Sequence, residues 1–509
     1  MPAIENILVI KSGTHSVKSV IYDTFGNEIA SASQAVPLEI QNSFATQGFM
    51  DWERSFHATL RKVLSAQGVG SQTKLIAFTG TTPSLVAVDV KGRPIRAGST
   101  QTTAEIITYL DVRAQREFLE LAKTEEYSAL LRSNGFSLHP NGMLPKIMWI
   151  RHHDPDGFKK VAKFLQVSDY LAFFFTRRFI TDEYNAYQCF ANPITKKPPA
   201  ELLSRLGLSP DRFPEVVKVG TVISNINKEV ARKFHISPEA KVVATAYDTI
   251  CDMVGSGVAN SGEANDSCGS TTSMKVVSQR RIIDAMNRIH VLPYPKKNLW
   301  IGSCSSFFGG LLLDWFRLNL FPKELGSFKR MDEYAKRSPF GARGIRILPY
   351  LQGERAPIWS SFATGVVFGL RFHHSICDVA RACYETLGFI SKQMQETFLT
   401  DGFRIDNYTL SGACNRNPQI SKIKNMILRR PTRVVEGNST ESVGAMMLAA
   451  VAGGYFKDID EAQKKMRRKS HSLKILADHE TTSVYEKAFR EHLTLYQHLE
   501  NLFPKMVEE

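Results

Sequence analysis

The feature that most constrains the fold is a strand–turn–strand pattern that occurs once in each half of the chain. In the first copy, strand-like residues 7–10 and 19–23 flank the segment K-S-G-T-H-S-V-K at 11–18. In the second copy, a hairpin over 266–277 turns at Gly269, Ser270 and Thr271. Backbone N–H groups and hydroxyls at such turns can bind phosphate oxygens. Because the plan recurs, the sequence predicts an internally duplicated, two-lobed α/β fold.

Asp248 is the acid that the pattern places beside a phosphate turn. The β-branched pair Val242 and Val243 ends in small residues before Asp248, and a helix-like segment with Gly255 and Gly257 follows. A carboxylate at a strand end can accept the proton of an alcohol during phosphoryl transfer. The same residues are also typical of an aspartate helix cap and a Gly-Ser hairpin. This stretch alone leaves both interpretations open.

Length and composition restrict the class of protein. The 509 residues exceed one ordinary core and predict two large domains. A hydrophobic fraction of 43% with 22% charged residues is typical of a soluble globular protein, and no apolar run reaches the roughly 20 residues that cross a bilayer. We see no secretory signal. The seven cysteines form no C-x-x-C pair, which favours a reducing, cytoplasmic setting and argues against a metal–thiolate site.

The net charge of +14 could indicate a nucleic-acid partner, a membrane surface or attraction for anionic substrates. The densest basic run, K-K-M-R-R-K at 464–469, follows acidic residues in a helix-like pattern, which is typical of a solvated helix face. The basic runs also lack the interleaved aromatic residues of nucleic-acid readers. We therefore expect neither a nucleic acid nor a membrane as partner.

Two motifs of the first half are similar to those of a known enzyme family. Residues 11–18 are similar to the phosphate motif D-x-G-T-x-S-x-K, but Lys11 stands in place of the acid. Residues 109–114, Y-L-D-V-R-A, are similar to the sugar-site motif W-x-D-x-R-A and keep Asp111 and Arg113. The segment T-T-P-S at 81–84 occupies a position where relatives carry residues such as Gln-Met-His.

The second half carries the most specific match. The matching stretch reads L-P-Y-L-Q-G-E-R-A-P-I-W at 348–359 and T-G-V-V-F-G-L at 364–370. It is too long for its similarity to the motif of a known family to be a coincidence. Its Glu354 and Arg355 could form a buried ion pair that holds a loop, or contact a substrate. Residues 411–417 are similar to the adenosine motif G-G-A-x-x-N, with Ser411 replacing one glycine. Together these motifs resemble the FGGY carbohydrate kinases of the actin, hexokinase and Hsp70 superfamily.

The resemblance implies an α/β fold of two RNase H-like, actin-like ATPase domains with a cleft between them. It implies a sugar-binding domain at 1–245 and a nucleotide-binding domain at 246–509, with the boundary near Thr245. ATP and Mg²⁺ are the implied cofactors, and the implied partner is a small sugar. Whether the protein forms a homodimer stays open. Residues 441–450, E-S-V-G-A-M-M-L-A-A, resemble the adenine-side helix of the family.

The resemblance also assigns roles to individual residues. Asp248 would be the catalytic base. The sugar would contact Thr82, Asp111, Arg113 and Asp248, although an Asp-x-Arg sequence is also common as a plain surface pair. The residues implied to bind ATP are Gly13, Thr14, Lys18, Gly269, Ser270, Thr271, Ser411, Gly412, Ala413 and Asn417. No metal ligand is assigned, but Asp248 could contact the ion through a water.

Lys11 is the departure that matters most. The family's acid at this position holds the water shell of Mg²⁺, and a hard cation prefers oxygen ligands that an ammonium cannot supply. Two like unit charges about 4 Å apart repel by about 4 kcal/mol near a protein surface. We expect nucleotide binding to survive and metal placement to be impaired or rearranged.

The sequence is compatible with two functions. The first is ATP-dependent phosphorylation of a primary hydroxyl of a small sugar, a ketose or polyol resembling a xylulokinase substrate. The second is a catalytically weakened homologue that acts as a sugar- or nucleotide-binding sensor or partner protein. Asp248 and the long motif favour the first function, whereas Lys11, Ser411 and residues 81–84 favour the second.

Overall fold

The structure is a computed structural model that describes residues 5–66, 68–98, 104–134, 141–197, 199–321, 327–437, 439–466, 468–475 and 477–506. Within these ranges no helix has the length and apolar character required to cross a membrane. The strands, in chain order, are β1 Asn6–Ser12, β2 Ser16–Asp23, β3 Glu28–Ala35, β4 Glu39–Gln41, β5 Phe44–Gly48, β6 Thr73–Gly80, β7 Val86–Val88, β8 Glu105–Ile107, β9 Lys163–Leu165, β10 Ile180–Asp182, β11 Glu215–Val217, β12 Val222–Asn225, β13 Lys241–Val243, β14 Glu263–Cys268, β15 Thr272–Ser278, β16 His290–Pro293, β17 Trp300–Ser306, β18 Arg346–Pro349, β19 Gly365–Phe368, β20 Asn407–Gly412, β21 Thr432–Val435 and β22 Ser470–Leu473.

The helices lie between groups of these strands. In chain order they are α1 Phe49–Leu64, α2 Val69–Gln72, α3 Gln115–Ala122, α4 Glu125–Asn134, α5 Met143–His153, α6 Pro155–Lys160, α7 Val167–Thr176, α8 Glu183–Cys189, α9 Ala200–Arg205, α10 Lys228–Phe234, α11 Asp248–Gly255, α12 Gly310–Asn319, α13 Phe328–Arg337, α14 Ile376–Thr400, α15 Ala413–Arg416, α16 Pro418–Leu428, α17 Thr440–Ala452, α18 Ile459–Lys465, α19 His479–Leu499 and α20 Phe503–Met506.

The chain forms two compact units, and the first is discontinuous. The first unit consists of the described residues of Met1–Gly257, Leu292–Lys297 and Ser439–Arg467. The second consists of those of Val258–Val291, Asn298–Asn438 and Arg468–Glu509. The boundary predicted near Thr245 lies within the first unit. The assignment of one domain to sugar and the other to nucleotide stays a prediction.

The first unit is built on a six-stranded sheet in the order β12-β13-β6-β1-β2-β3. β1 pairs antiparallel with β2 and parallel with β6, and β6 pairs parallel with β13. Almost every residue of β1 is buried, because apolar side chains point to both faces of a covered sheet. Leu8 and Ile10 belong to a core shared with α1, α7 and α10. α17 packs on β1 and β6, although it lies more than 350 residues later in the chain.

The bounds of α1 differ from those that the periodicity of the sequence predicts. A helix over residues 56–66 is the sequence prediction, but α1 begins at Phe49 and ends at Leu64. Its buried residues include Phe49, Trp52, Phe56 and Leu60, an i, i+3, i+7, i+11 stripe that faces the sheet. The early start has no side-chain cap, since Gly48 occupies the N-cap position. The sequence therefore contained no local signal for it.

The second unit is built on a seven-stranded sheet in the order β16-β17-β15-β14-β20-β21-β22. β14 and β15 form the predicted hairpin, and β14 also pairs parallel with β20. The long helix α14 packs on α13, α16 and β15. It begins with a capping box in which Ser375 and Asp378 satisfy each other's backbone N–H groups. In this unit Lys424 on α16 forms a fully buried ion pair with Asp266 on β14, at 2.7 Å.

Candidate active site

Asp248 lies where a central strand gives way to a helix. After β13, residues 244–247 are buried, and Thr245 Oγ1 accepts a hydrogen bond from Phe78 N at 3.2 Å. This bond ties the connection to β6. Asp248 is then the first residue of α11, and it is partly exposed. A carboxylate in the first turn of a helix is favoured in its charged form by the helix dipole. The predicted strand-end position is confirmed, whereas the catalytic role stays a prediction.

Lys11 lies within the same unit and faces acidic side chains. Its Nζ donates a hydrogen bond to Glu441 Oε1 at 2.7 Å, and the two side chains are 23% and 27% exposed. Burial, the largest single effect, lowers the pKa of Lys11, but the negative charges of Glu441, Asp248 and Asp252 together raise it above its ordinary value. The side chain of Lys11 is therefore protonated and carries a positive charge. Asp248 and Asp252 are four residues apart and so lie on one face of α11.

Two glycines allow α17 to bring Glu441 to this position. A Cβ atom on Gly255 would lie 2.0 Å from Thr440 O, and one on Gly444 would lie 1.8 Å from Cys251 O. α11 and α17 therefore touch backbone to backbone. Thr440 Oγ1 also donates to Asp252 Oδ1 at 2.5 Å. This close packing places Glu441, in the first turn of α17, against Lys11.

We expect Gly444→Ala to destabilise the first unit by about 1–3 kcal/mol, the usual cost of overpacking. The added methyl group meets backbone, which cannot rotate away, so α17 must shift. Thermal and urea unfolding measure the loss. Ala452→Ser, at the half-exposed end of the same helix, is the control and should change little. A Gly444→Ala protein as stable as the wild type would show that this close approach is unnecessary.

The first phosphate turn contacts two residues, and sequence reasoning foresaw neither contact. Gly13 N donates to Ser16 O at 2.9 Å and closes the turn between β1 and β2. Thr14 O accepts from Gln47 Nε2 at 2.8 Å, and Thr14 Oγ1 donates to the Tyr109 hydroxyl at 3.3 Å. Neither Gln47 nor Tyr109 is marked by local sequence, because each meets the turn only through the fold. The predicted phosphate residues Gly13 and Thr14 thus lie in a fixed turn.

The second phosphate turn is supported by the start of a helix. Gly269 N donates to Thr271 O at 2.8 Å, and Gly310 N, at the start of α12, donates to Gly269 O at 2.8 Å. Leu311 N donates to Ser270 O at 3.2 Å. A Cβ atom on Gly309 would lie 2.6 Å from Thr271 O. The Gly309–Gly310 pair, which sequence reasoning passed over, therefore allows α12 to approach the turn.

Some residues of the predicted adenosine motif are exposed to solvent, whereas another is buried and hydrogen-bonded inside the protein. Gly412 is exposed, with a φ of 72° and a Cβ position only 2.3 Å from Cys268 O, so no larger residue fits there. Ala413, at the start of α15, is half-buried. Ser411 is fully buried, and its Oγ accepts from Asn265 Nδ2 at 3.3 Å. The side chain of Ser411 therefore points into the sheet, and a contact of this residue with ATP stays a prediction.

The side chain of Asn417 also has its hydrogen-bond partners within the second unit. Its Oδ1 accepts from Gln419 N at 2.9 Å and so caps α16. Its Nδ2 donates to Asp332 Oδ1 at 2.9 Å and to the Tyr384 hydroxyl at 3.1 Å. Because the amide oxygen and the NH₂ group both have internal partners, Asn417 positions the start of α16, and its contact with ATP stays a prediction.

Asp111 and Arg113 form a buried ion pair. Their side chains have no solvent exposure and form an ion pair at 2.7 Å. Asp111 Oδ2 also accepts from Ala45 N at 2.8 Å, and Arg113 donates to Gly98 O at 2.8 Å. The Arg113 guanidinium lies 4.3 Å from the centre of the Phe44 ring. The pair joins separate segments of the first unit, and a contact of either residue with a sugar stays a prediction.

Thr82, the remaining predicted sugar residue, stays partly open. Its Oγ1 donates to Gln166 Oε1 at 3.1 Å, and the same amide oxygen accepts from Ser84 N at 2.7 Å. Gln166 thereby fixes the segment 81–84, which differs from the corresponding residues of the family. A role of Thr82 in sugar selection stays a prediction.

Glu354, in the most specific motif, ties a loop to the end of β17. Its Oε1 accepts from Phe307 N at 2.8 Å and Arg355 N at 2.7 Å, and its Oε2 accepts from Ser306 Oγ at 2.6 Å. Arg355 instead donates to Ser306 O at 3.2 Å and lies over the Phe307 ring. Glu354 therefore acts through hydrogen bonds that hold the loop. Burial raises its pKa to about 7.

This raised pKa makes the stability of the protein depend on pH. The folded protein binds a proton at Glu354 more tightly than the unfolded chain, whose pKa is near 4.5. The stabilisation from this group is therefore present at low pH and is lost as the pH rises from 4.5 to 7. Glu354→Gln keeps the shape and removes the titration. We expect the variant to gain up to about 3 kcal/mol relative to wild type across that window.

Unfolding transitions measured at several pH values between 4 and 8 test this expectation. The matched control is Glu125→Gln, whose exposed side chain should leave the pH profile unchanged. A constant difference between wild type and Glu354→Gln at every pH would contradict the assignment.

The acidic residues around Lys11 do not fit a protein-held divalent cation. An ammonium stands among Glu441, Asp248 and Asp252 and takes one Glu441 oxygen. Across the described part of the chain, no group of three or more His, Cys, Asp or Glu side chains is arranged to hold a metal ion. We therefore assign magnesium to the nucleotide substrate and not to a site held by the protein.

Comparison with known proteins decides the family. Models of the N-terminal and C-terminal domains of the FGGY family of carbohydrate kinases match residues 6–255 and 264–453. The chain belongs to the FGGY family of carbohydrate kinases. Membership implies ATP as the phosphoryl donor and a small sugar as the acceptor of this FGGY protein.

Individual relatives match the FGGY protein over nearly its whole length. The xylulose kinase of Bacillus subtilis (strain 168) is 25% identical over 503 residues, covering 97% of each chain. The gluconokinase of the same organism is 24% identical over 467 residues, covering 89% of each chain. The ligand-bound xylulose kinase from Lactobacillus acidophilus matches with a TM-score of 0.87 at 21% identity, covering 99% of this chain and 100% of that one. This likeness confirms the predicted α/β class with two actin-like domains.

Proposed function

We propose that this protein transfers the terminal phosphoryl group of ATP to a primary hydroxyl of a small ketose or polyol. The observation that carries the proposal is the position of Asp248, a partly exposed carboxylate at a strand–helix junction. In this mechanism the sugar hydroxyl donates a hydrogen bond to Asp248. The carboxylate accepts the proton as the oxygen attacks the terminal phosphorus, the bond from that phosphorus to the bridging oxygen of ATP breaks, and ADP leaves. Such transfer depends more on alignment of the reacting atoms than on a strong base, so an ordinary carboxylate is sufficient.

Each unit is proposed to carry its own phosphate-binding residues. In the first unit, the turn at Gly13 and Thr14 and the ammonium of Lys18 would meet phosphate oxygens. In the second unit, the turn at residues 269–271 would do the same, and Gly412 and Ala413 would face the adenosine through backbone. Backbone N–H groups suit anionic oxygens because their dipoles are fixed by the fold. Magnesium would arrive bound to ATP, as part of the substrate.

The sugar itself is proposed from the relatives. Proteins named xylulose kinase and gluconokinase both match along most of the chain, and they differ in the class of sugar that they are named for. A xylulose-like ketose is our first choice, since xylulose kinases match the chain end to end. The changed segment at 81–84 means that related ketoses, polyols and aldonic acids belong in the same test.

A coupled assay of ADP release tests the proposal. D-Xylulose, other ketoses, polyols and gluconate are each supplied with ATP and Mg²⁺, and the phosphorylated product is identified by mass spectrometry. We expect one class to be turned over at a rate that saturates with sugar. If every sugar fails while ATP still binds, the kinase proposal is wrong and the weakened, ligand-binding homologue replaces it.

We further propose that the protein works in the cytoplasm. The seven cysteines are unpaired thiols in the structure, which suits a reducing compartment. Sedimentation of the purified protein would decide whether it is a monomer or a homodimer.

A further inference from the structure

Lys11 is half of a pair of lysines on one face of the first phosphate hairpin. In the register of β1 and β2, Lys11 lies directly opposite Lys18. Residues paired across antiparallel strands project from the same face, and like charges there repel each other. The pair lies at the base of the turn that contains Gly13 and Thr14. Two ammonium groups beside a turn of backbone N–H groups offer several N–H donors to an anionic oxygen, although nearby carboxylates offset part of their charge.

The ammonium of Lys11 is held in place by one partner and has further N–H donors available. Among the residues that the structure describes, Glu441 is the single hydrogen-bond partner of Lys11 Nζ. An ammonium has three N–H donors, so two remain for another acceptor. The side chain is 23% exposed, which leaves part of it open to a ligand. The contact with Glu441 reduces the freedom of the lysine side chain and so the entropy lost on binding.

The position of Glu441 is itself fixed by the fold. It lies in the first turn of α17, whose backbone touches α11 at Gly255 and Gly444. Asp248 and Asp252 on α11 add negative charge around the same ammonium. The cation is therefore permanent and oriented, and it lies in the electrostatic neighbourhood of the proposed catalytic base.

A protein-held metal would conflict with this arrangement. A divalent cation about 4 Å from the ammonium would be repelled by several kcal/mol at the dielectric of a protein surface. We propose that Lys11, held by Glu441, binds a terminal phosphoryl oxygen of ATP directly and supplies there the positive charge that a metal ion would otherwise bring. ATP binding then needs no divalent cation. This inference rests on the proposed function only in taking ATP as the nucleotide.

Nucleotide binding measured by calorimetry, with and without metal, tests the proposal. ATP is titrated in EDTA and again in excess Mg²⁺ into the wild type, Lys11→Met, Lys11→Arg and Lys11→Asp. We expect the wild type to bind ATP in EDTA within about threefold of its affinity in Mg²⁺. Lys11→Met should bind ATP in EDTA at least tenfold more weakly, as expected for loss of a charged hydrogen bond. Lys11→Arg should retain most of the affinity.

The remaining variants separate a phosphate contact from a structural role. Lys11→Asp should bind ATP only when Mg²⁺ is present, a gain of metal dependence that loss of a mere structural ion pair would not produce. Lys159→Met removes an exposed lysine of the same unit and should bind ATP as the wild type does. Unfolding temperatures identify any variant that fails to fold. For such a variant Glu441→Gln is used instead, since it loosens Lys11 and should also weaken ATP binding in EDTA.

Two results would overturn the inference. One is a wild type that binds ATP at least tenfold more tightly in Mg²⁺ than in EDTA. The other is a folded Lys11→Met protein whose ATP affinity in EDTA equals that of the wild type. Neither result requires sugar turnover, so failure here is distinguishable from failure of the kinase proposal. A chain that phosphorylates no sugar but shows the expected pattern of ATP affinities would sustain this inference alone.

Discussion

Asp248→Asn is expected to lower kcat for sugar phosphorylation by about 10²–10⁴-fold, the usual contribution of a general base. The asparagine keeps the size of the side chain and the start of α11, but it cannot accept the proton of the sugar hydroxyl. ATP affinity should stay within threefold, because proton acceptance takes no part in nucleotide binding. Steady-state rates on the identified sugar and an ATP titration measure the two quantities separately.

The matched control is Asp156→Asn. This residue also lies in the first turn of a helix, α6, but its side chain is 84% exposed and its partner is the surface residue Lys159. The same chemical change there should leave kcat unaltered. If Asp248→Asn retained activity within threefold of the wild type, Asp248 would be a structural helix residue and the base would have to be sought elsewhere.

Lys424→Met is expected to destabilise the second unit by about 3–5 kcal/mol, the cost of leaving a buried charge without its partner. Lys424 and Asp266 are fully buried and 2.7 Å apart. Burial, the largest effect, lowers the pKa of Lys424, but Asp266 and the neighbouring thiols raise it above its ordinary value. Methionine matches the length of the lysine stem and removes only the charge and its hydrogen bonds.

A double variant shows whether the unpaired charge is the cause. Lys424→Met with Asp266→Asn removes both charges, so it should be more stable than Lys424→Met alone. Urea unfolding of the wild type, both single variants and the double variant gives the coupling energy. Equal stability of Lys424→Met and the double variant would show that lost packing, and not the stranded carboxylate of Asp266, accounts for the effect.

Sequence reasoning succeeded for local backbone structure. Both predicted hairpins and the acid at the strand end follow from short patterns of β-branched residues, turns and glycines. The strands were predicted shorter than they are: residues 7–10 became β1, Asn6–Ser12, because pairing on both sides extends a strand beyond its apolar centre.

It did not foresee the internal partners of several side chains in the matched motifs. Asp111 and Arg113 match a sugar-site pattern, yet each satisfies the other inside the first unit. Ser411 and Asn417 likewise match a nucleotide pattern but bond to Asn265 and Asp332. Glu441 was read only as part of a helix, because its contact with Lys11 spans 430 residues. No local periodicity carries that information.

The return of α17 to the first unit has a consequence for how the chain is made. β1 and β6 leave the ribosome early, but the helix that covers one face of their sheet follows only after residue 440. At about 5–20 residues per second, that interval is on the order of half a minute. During it, the apolar side chains beneath α17 face solvent or a chaperone. The first unit, although it begins the chain, therefore cannot close its core until most of the chain has been made.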